Sequence, residues 1–261
     1  MSTPSKVEIR TDETFRHLPR APVVEAVIDL RAQPTVPLAE QTCRELLEPR
    51  LAGYGFLDSR RSYHAETKVE GGKPPSQKVE DLGWKGLRFV SEDQKQIAQF
   101  NRDGFVLSRL EPYVNWQQLE QEGFRLWEIF KEPTKPVEVQ RVGLRFINRV
   151  SLAADGLRFE DYLRPSPEAP TGFDLPFLHF MHQDTLAVPG HPYAVKVIRT
   201  IQPVTAGSEK TVSLILDIDV FTTRGFEMNT EILSRSLAEM RWLKNKVFFG
   251  SFTEKTIQGF L

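Results

Sequence analysis

The chain carries a single cysteine, Cys43. It therefore cannot close an intrachain disulfide or build a cysteine-based zinc site. A lone thiol suits a reducing compartment. Hydrophobic runs are short as well. No stretch approaches the ~18 consecutive apolar residues that a membrane-spanning helix requires. Residues 1–14 are largely polar and lack the apolar core of a secretory leader. These absences together lead to the expectation of a cytoplasmic protein with no membrane partner.

Neither sign of charge is in excess. Lys and Arg number 34 against 35 Asp and Glu, a formal net charge of −1. A dedicated binder of nucleic acid or anionic membrane usually carries a basic surplus, so both partners are disfavoured. One local route to nucleic acid remains, a patch made by Arg60, Arg61, Arg88, Arg102 and Arg109. The common catalytic signatures are also missing. There is no G-x-G-x-x-G after a strand and no phosphate loop, since Gly72-Lys73 runs into Pro74. There is no G-x-S-x-G elbow and no H-E-x-x-H. No cofactor is expected.

What is present is a soluble-type composition, 40% hydrophobic and 26% charged over 261 residues, enough to bury a core without staples. Residues 22–31 alternate, with Val24, Ala26, Ile28 and Leu30 on one side and Glu25, Val27, Asp29 and Arg31 on the other. That is the pattern of a half-buried strand. Residues 38–53 have helical periodicity, cut at Glu48 by Pro49. Residues 62–111 are β-rich, and 86–91, 96–101 and 105–110 read as a meander with Asp103-Gly104 as a tight-hairpin signal. Residues 114–131 then read as an amphipathic helix ended by Pro133. A long strand over 137–150 opens the second half. After a proline-rich crossing come strands over 193–204 and 210–222. A final long helix carries Leu233, Leu237, Met240, Leu243 and Val247 at core spacing. Ser251–Glu254 has the spacing of a capping box for a last short helix.

Strand, crossing, strands and long helix thus occur twice, with the seam near residue 134. The reading is an α+β protein with two structurally similar halves, 1–133 and 134–261, in one integrated unit. Each half is an antiparallel sheet packed against a long amphipathic helix.

The chemistry-bearing residues concentrate on the 137–150 strand. Arg141, Arg145 and Arg149 are four apart, so all three share a side. Glu25 and Asp29 share a face of the first strand, and Asp217 and Asp219 a face of a late strand. Three readings follow: a solvated sheet face of cross-strand charge pairs, a groove gripping carboxylate or phosphate, and a protein interface. His179, His182 and His191, near Asp184, would converge as metal ligands only on a continuous helix, which the surrounding prolines disfavour; no metal site is assigned. The C-terminal group Phe248, Phe249, Phe252, Ile257, Phe260 and Leu261 must dock on its own body or cover another chain.

Three pieces of the chain resemble one family. They are Ala21-Pro22-x-x-Glu25-Ala26, Arg141-x-Gly143-Leu144-Arg145-x-x-Asn148, and Leu243-x-Asn245-x-x-Phe248 with Phe252-Thr253. The pattern is similar to that of a sporadically distributed family of uncharacterised prokaryotic proteins of about this length, from about residue 17 to the end. The resemblance implies a cytosolic bacterial protein with no assigned activity, an accessory or host-defence component, and Glu25, Arg141, Arg145 and Asn148 as the positions to test. Glu25 would pair with Arg141 or Arg145.

Two functions of different class follow. The first is a non-enzymatic binding or assembly protein that self-associates or joins a protein partner, with a small anionic ligand as a further partner. The second is a metal-dependent phosphohydrolase-like enzyme. There the arginines would hold the anion and Glu25, Asp29, Asp217 and Asp219 would hold a divalent ion.

Overall fold

Alternation along the strands builds one sheet with a dry side and a wet side. The computed structural model describes residues 5–261 except 70, 73, 75, 170–171, 173–176 and 205–210. The elements run β1 (Val23–Pro34), α1 (Glu40–Leu47), β2 (Tyr54–Lys68), β3 (Ser76–Ser91), β4 (Gln96–Asn101), β5 (Gly104–Leu110) and α2 (Trp116–Thr134). They continue with β6 (Pro136–Ala153), β7 (Met181–Ala187), β8 (Tyr193–Val204), β9 (Thr211–Thr222), β10 (Phe226–Glu227), α3 (Thr230–Ser251) and α4 (Glu254–Gln258). The fold is α+β with a large antiparallel sheet, ordered β2-β3-β4-β5-β1-β6-β9-β8-β7, and β10 pairs with β6.

β1 and β6 are neighbours at the centre of the sheet. β1 and β6 pair antiparallel, with Ile28 opposite Leu144 and Val27 opposite Arg145. From β1 the chain crosses to the outer edge and returns inward through β2, β3, β4 and β5; from β6 it crosses to β7 and returns through β8 and β9. Each return ends in a long helix. Both helices lie on the same side, over Ile28, Leu30, Leu107, Leu144, Phe146, Leu216 and Ile218, all at most 1% exposed. Gly123 on α2 lets that helix come close, since a Cβ there would meet Ile28 Cδ1 at 2.9 Å.

Local chemistry sets the helix ends. Asn115 caps α2, its side chain accepting from Gln118 N at 2.9 Å. Asn229 caps α3 by accepting from Glu231 N and Ile232 N at 2.9 and 3.0 Å. Each satisfies donors that a helix start leaves unpaired. Pro133 does not end α2, which runs one residue further and turns out at Lys135 with a left-handed φ of 45°. The expected capping box is displaced. Ser251 is the last residue of α3, and Thr253 caps α4 by accepting from Thr256 N at 3.3 Å. The reason is chain direction: Phe252 is extended and breaks the helix before the cap.

Residues 5–22 form no strand among the named elements. Residues 5–22 run as a strap across the helix side. Val7 N donates to Pro189 O at 3.0 Å, Arg20 N donates to Phe260 O at 3.0 Å, and Phe15 stacks on Phe249. The C-terminal apolar group docks on its own chain. Phe248, Phe252, Ile257 and Phe260 are buried, Phe249 is half-buried, and Leu261 is 45% exposed. Phe252 and Phe260 pack edge to face with centroids 6.0 Å apart. The turn expected over 205–209 and parts of the 71–76 and 165–176 segments lie outside the described residues.

Candidate functional site

The predicted candidate residues divide between the two sides of the sheet, the charged ones on one and Asn148 on the other. Arg141, Arg145 and Arg149 do share the open side with Asp29, Asp217 and Asp219. Each arginine there is already engaged. Arg145 donates through Nε and Nη2 to the carboxylate of Asp217 at 2.8 and 2.6 Å. Arg141 donates to Asp29 and, at 3.4 Å, to Asp219. It also lies 5.1 Å from the ring centre of Phe221. Arg149 donates to Glu111 at 3.1 Å. Lys196 lies 3.9 Å from Asp219. The carboxyls of Asp29 and Asp219 are pushed up by burial, against the pull of Arg141. Arg145 is pushed up by its hydrogen bonds to Asp217. Glu25 makes no ion pair with Arg141 or Arg145 among the described residues; it lies opposite Ile147, two positions along β6 from Arg145.

Asn148 is on the other side. It is 1% exposed, and its Nδ2 donates to Leu216 O at 3.0 Å and Phe146 O at 3.4 Å. Its Oδ1 has no hydrogen-bond partner among the described residues. Asn148 forms the floor of a cavity of about 470 Å³. The roof is the strap over residues 11–18, and the walls are the start of α2 and one flank of α3. That volume lies within the ~300–1,000 Å³ of small-molecule sites.

The cavity is aromatic with a basic corner. Tyr113, Trp116, Trp242, Phe248 and Phe249 supply the apolar surface. Arg241 and Lys244 supply the charge, one helical turn apart on α3. Arg241 lies over the Trp116 ring at 5.5 Å, and Lys244 Nζ lies 4.0 Å from the centre of Phe146. Neither makes an ion pair among the described residues. Burial, and then the nearby Arg241 charge, pull Lys244 down to about 7. The acid in the roof, Glu13, is held elsewhere, accepting from Trp242 Nε1 at 2.8 Å and Lys246 Nζ at 2.6 Å. The first turn of α2 borders the cavity too, and its orphan N–H groups favour negative charge there. Two cations without an ion pair and a helix start thus border a pocket walled by rings. That arrangement suits an anion with a flat or apolar body.

The other sequence candidates do not join it. His179 Nδ1 contacts Ile201 O at 3.1 Å, and His191 Nε2 contacts Val7 O at 2.8 Å. Among the described residues no three His, Cys, Asp or Glu side chains converge as metal ligands. Cys43 is buried, and burial pushes its thiol up to about 12. No helix of the described residues is long and apolar enough to cross a membrane.

Arg241, Lys244 and Trp116 are the residues that sequence reasoning missed as a site. One signal was there. Lys244 has Met240, Arg241, Val247 and Phe248 at helical spacing, and Arg241 has Leu237, Ala238, Lys244 and Asn245. Two basic residues beside a core stripe, with no acid three or four away, have no helical partner.

No known family model and no curated protein matches the chain.

Proposed function

We propose that this protein is a non-enzymatic binding protein that holds a small anionic ligand in the cavity between the strap, α2 and α3. The observation that carries the reading is the pair Arg241 and Lys244. They line a cavity of about 470 Å³ and neither is in an ion pair among the described residues, although the charge of Arg241 reaches Glu120 through space. Partly buried charges without an ion pair cost the fold, and an anion in the cavity offsets that cost. Pieces that carry the family resemblance support the same place, because Ala21, Asn148, Asn245 and Phe248 all line this cavity. Membership of that family, a cytoplasmic location and self-association belong to the proposal. So does the kinship of the two halves, supported by the matching order of strand, crossing, inward meander and helix.

The phosphohydrolase reading has less behind it. Asp29, Asp217 and Asp219 already neutralise Arg141 and Arg145, so a metal would have to displace those pairs. Calorimetric titration of aromatic and aliphatic carboxylates and phosphates tests the proposal. Binding should saturate at one site and weaken by roughly ten-fold or more in Arg241→Ala, the scale of one lost charge-assisted contact. Binding that is unaffected by Arg241→Ala, or absent across the panel, overturns it.

A further inference from the structure

We propose that Lys244 captures the carbonyl of a small 2-oxo acid as an imine, with the carboxylate of that acid held against Arg241. This rests on the anion-binding reading above and names the ligand class within it.

Three observations place the reaction here. Lysines buried for structural reasons pair with a carboxylate, and Lys244 has none; the acid in the roof, Glu13, is bound to Lys246 and Trp242. The amine lies over the Phe146 ring at 4.0 Å and borders the aromatic cavity. Arg241 stands one turn before it on the same flank, so a carboxylate on that guanidinium brings the adjacent carbonyl carbon toward Nζ. A desolvated lysine beside a second cation is an activated nucleophile. Opposite them Asn148 offers an amide oxygen with no partner among the described residues, an acceptor for the hydroxyl of the first adduct.

The atoms balance without an oxidant or reductant. The nitrogen lone pair attacks the carbonyl carbon and forms the C–N bond, giving a carbinolamine. The nitrogen then loses a proton, and the hydroxyl leaves with a proton as water. The product is a C=N bond, and the step is reversible. It stores the ligand covalently and turns nothing over, which keeps it consistent with a binding protein.

The charged and titratable groups that line the cavity with the amine are Arg241 on its own helix, Asp12, Glu13, Arg16 and His17 on the strap, and Tyr113 before α2. With Lys244 drawn to about 7, its neutral fraction at pH 7 exceeds that of a free lysine by roughly a thousand-fold. Lower basicity makes each neutral amine a weaker nucleophile, leaving a selectivity of roughly fifty-fold if the Brønsted slope resembles that of thiols.

The experiment incubates the full chain with pyruvate and sodium cyanoborohydride at pH 7, then maps carboxyethyl-lysine by peptide mass spectrometry. Lys244 should be labelled roughly fifty-fold faster than the exposed lysines. Labelling should fall in Arg241→Ala, and the preference for Lys244 should be smaller with propanal, which shares the effect of the lowered amine but lacks the carboxylate. Titration of Lys244→Arg with pyruvate should still show reversible binding, since this variant keeps the charge. Label spread evenly over the lysines, while pyruvate binding persists, overturns the imine and leaves the binding reading standing. Equal labelling of Lys244 by propanal overturns the role of Arg241. Absence of both labelling and pyruvate binding in the wild-type chain overturns this proposal, and the anion-binding reading falls with it only if the calorimetric panel is also blank.

Discussion

Removing Arg145 should destabilise this protein more than removing its partner does. The two sides of the pair are unequal. The Arg145 side chain is 44% exposed, whereas that of Asp217 is 7% exposed. Two hydrogen bonds of 2.8 and 2.6 Å join them. In Arg145→Ala the buried carboxylate keeps its desolvation cost and loses both donors. Unsatisfied buried charged groups cost about 2–3 kcal/mol, and water reaching into the vacated space holds the loss to that range. In Asp217→Ala the guanidinium turns to solvent, and the loss is about 1 kcal/mol, the scale of an exposed pair. Urea unfolding of both single variants and the double variant measures the two losses and the coupling, expected at about 1–2 kcal/mol. The reasoning is refuted if Asp217→Ala costs as much as Arg145→Ala, or if the coupling is near zero. Either result would mean that the open side of the sheet is solvated at Asp217.

Lys244 makes stability depend on pH in a definite direction. Its amine is lowered in the folded chain, so between about pH 7 and its unfolded value the unfolded state binds more protons. Stability should therefore rise with pH through that window, and Lys244→Met should flatten the rise in thermal melts taken from pH 6 to 10. Lys135 holds a left-handed φ of 45°, so Lys135→Gly should stabilise by about 1 kcal/mol in urea titration. A Cβ on Gly104 would lie 2.2 Å from Leu30 O at a φ of +155°, so Gly104→Ala should cost more than about 2 kcal/mol in the same assay. Truncation after Gly250 removes the buried Phe252, Ile257 and Phe260, a loss of about 6 kcal/mol at 1.5–3 kcal/mol each; circular dichroism should show an unfolded chain.

Alternation was the legible part of this fold. The strand read over 193–204 is β8 to the residue, because its apolar positions repeat every second place. The core stripe of α3 was readable for the same reason at helical spacing. The long β2–β3 ribbon was less so. Its outer stretch is exposed on both sides and carries no alternation to read. The strap was not legible because its anchors are single contacts to distant residues, such as Glu13 to Trp242, which no local period encodes. The candidate site divided in the same way. The charged row was visible as spacing along one strand. The cavity needed Asn148, Lys244 and the strap, which only the folded chain brings together.

The central position of β1 and β6 also orders events in time. Meander hairpins such as β4–β5 and β8–β9 close over short loops, whereas the β1–β6 seam joins residues more than a hundred apart. Closing so long a loop is entropically slow. A ribosome delivers β1 long before β6 exists, so one edge of β1 has no neighbour until the second half emerges. During synthesis that strand is a template for any other chain that offers an edge. Apolar residues alternate along it, and Asp29 and Arg31, on its wet side, are the charges that guard it while it waits.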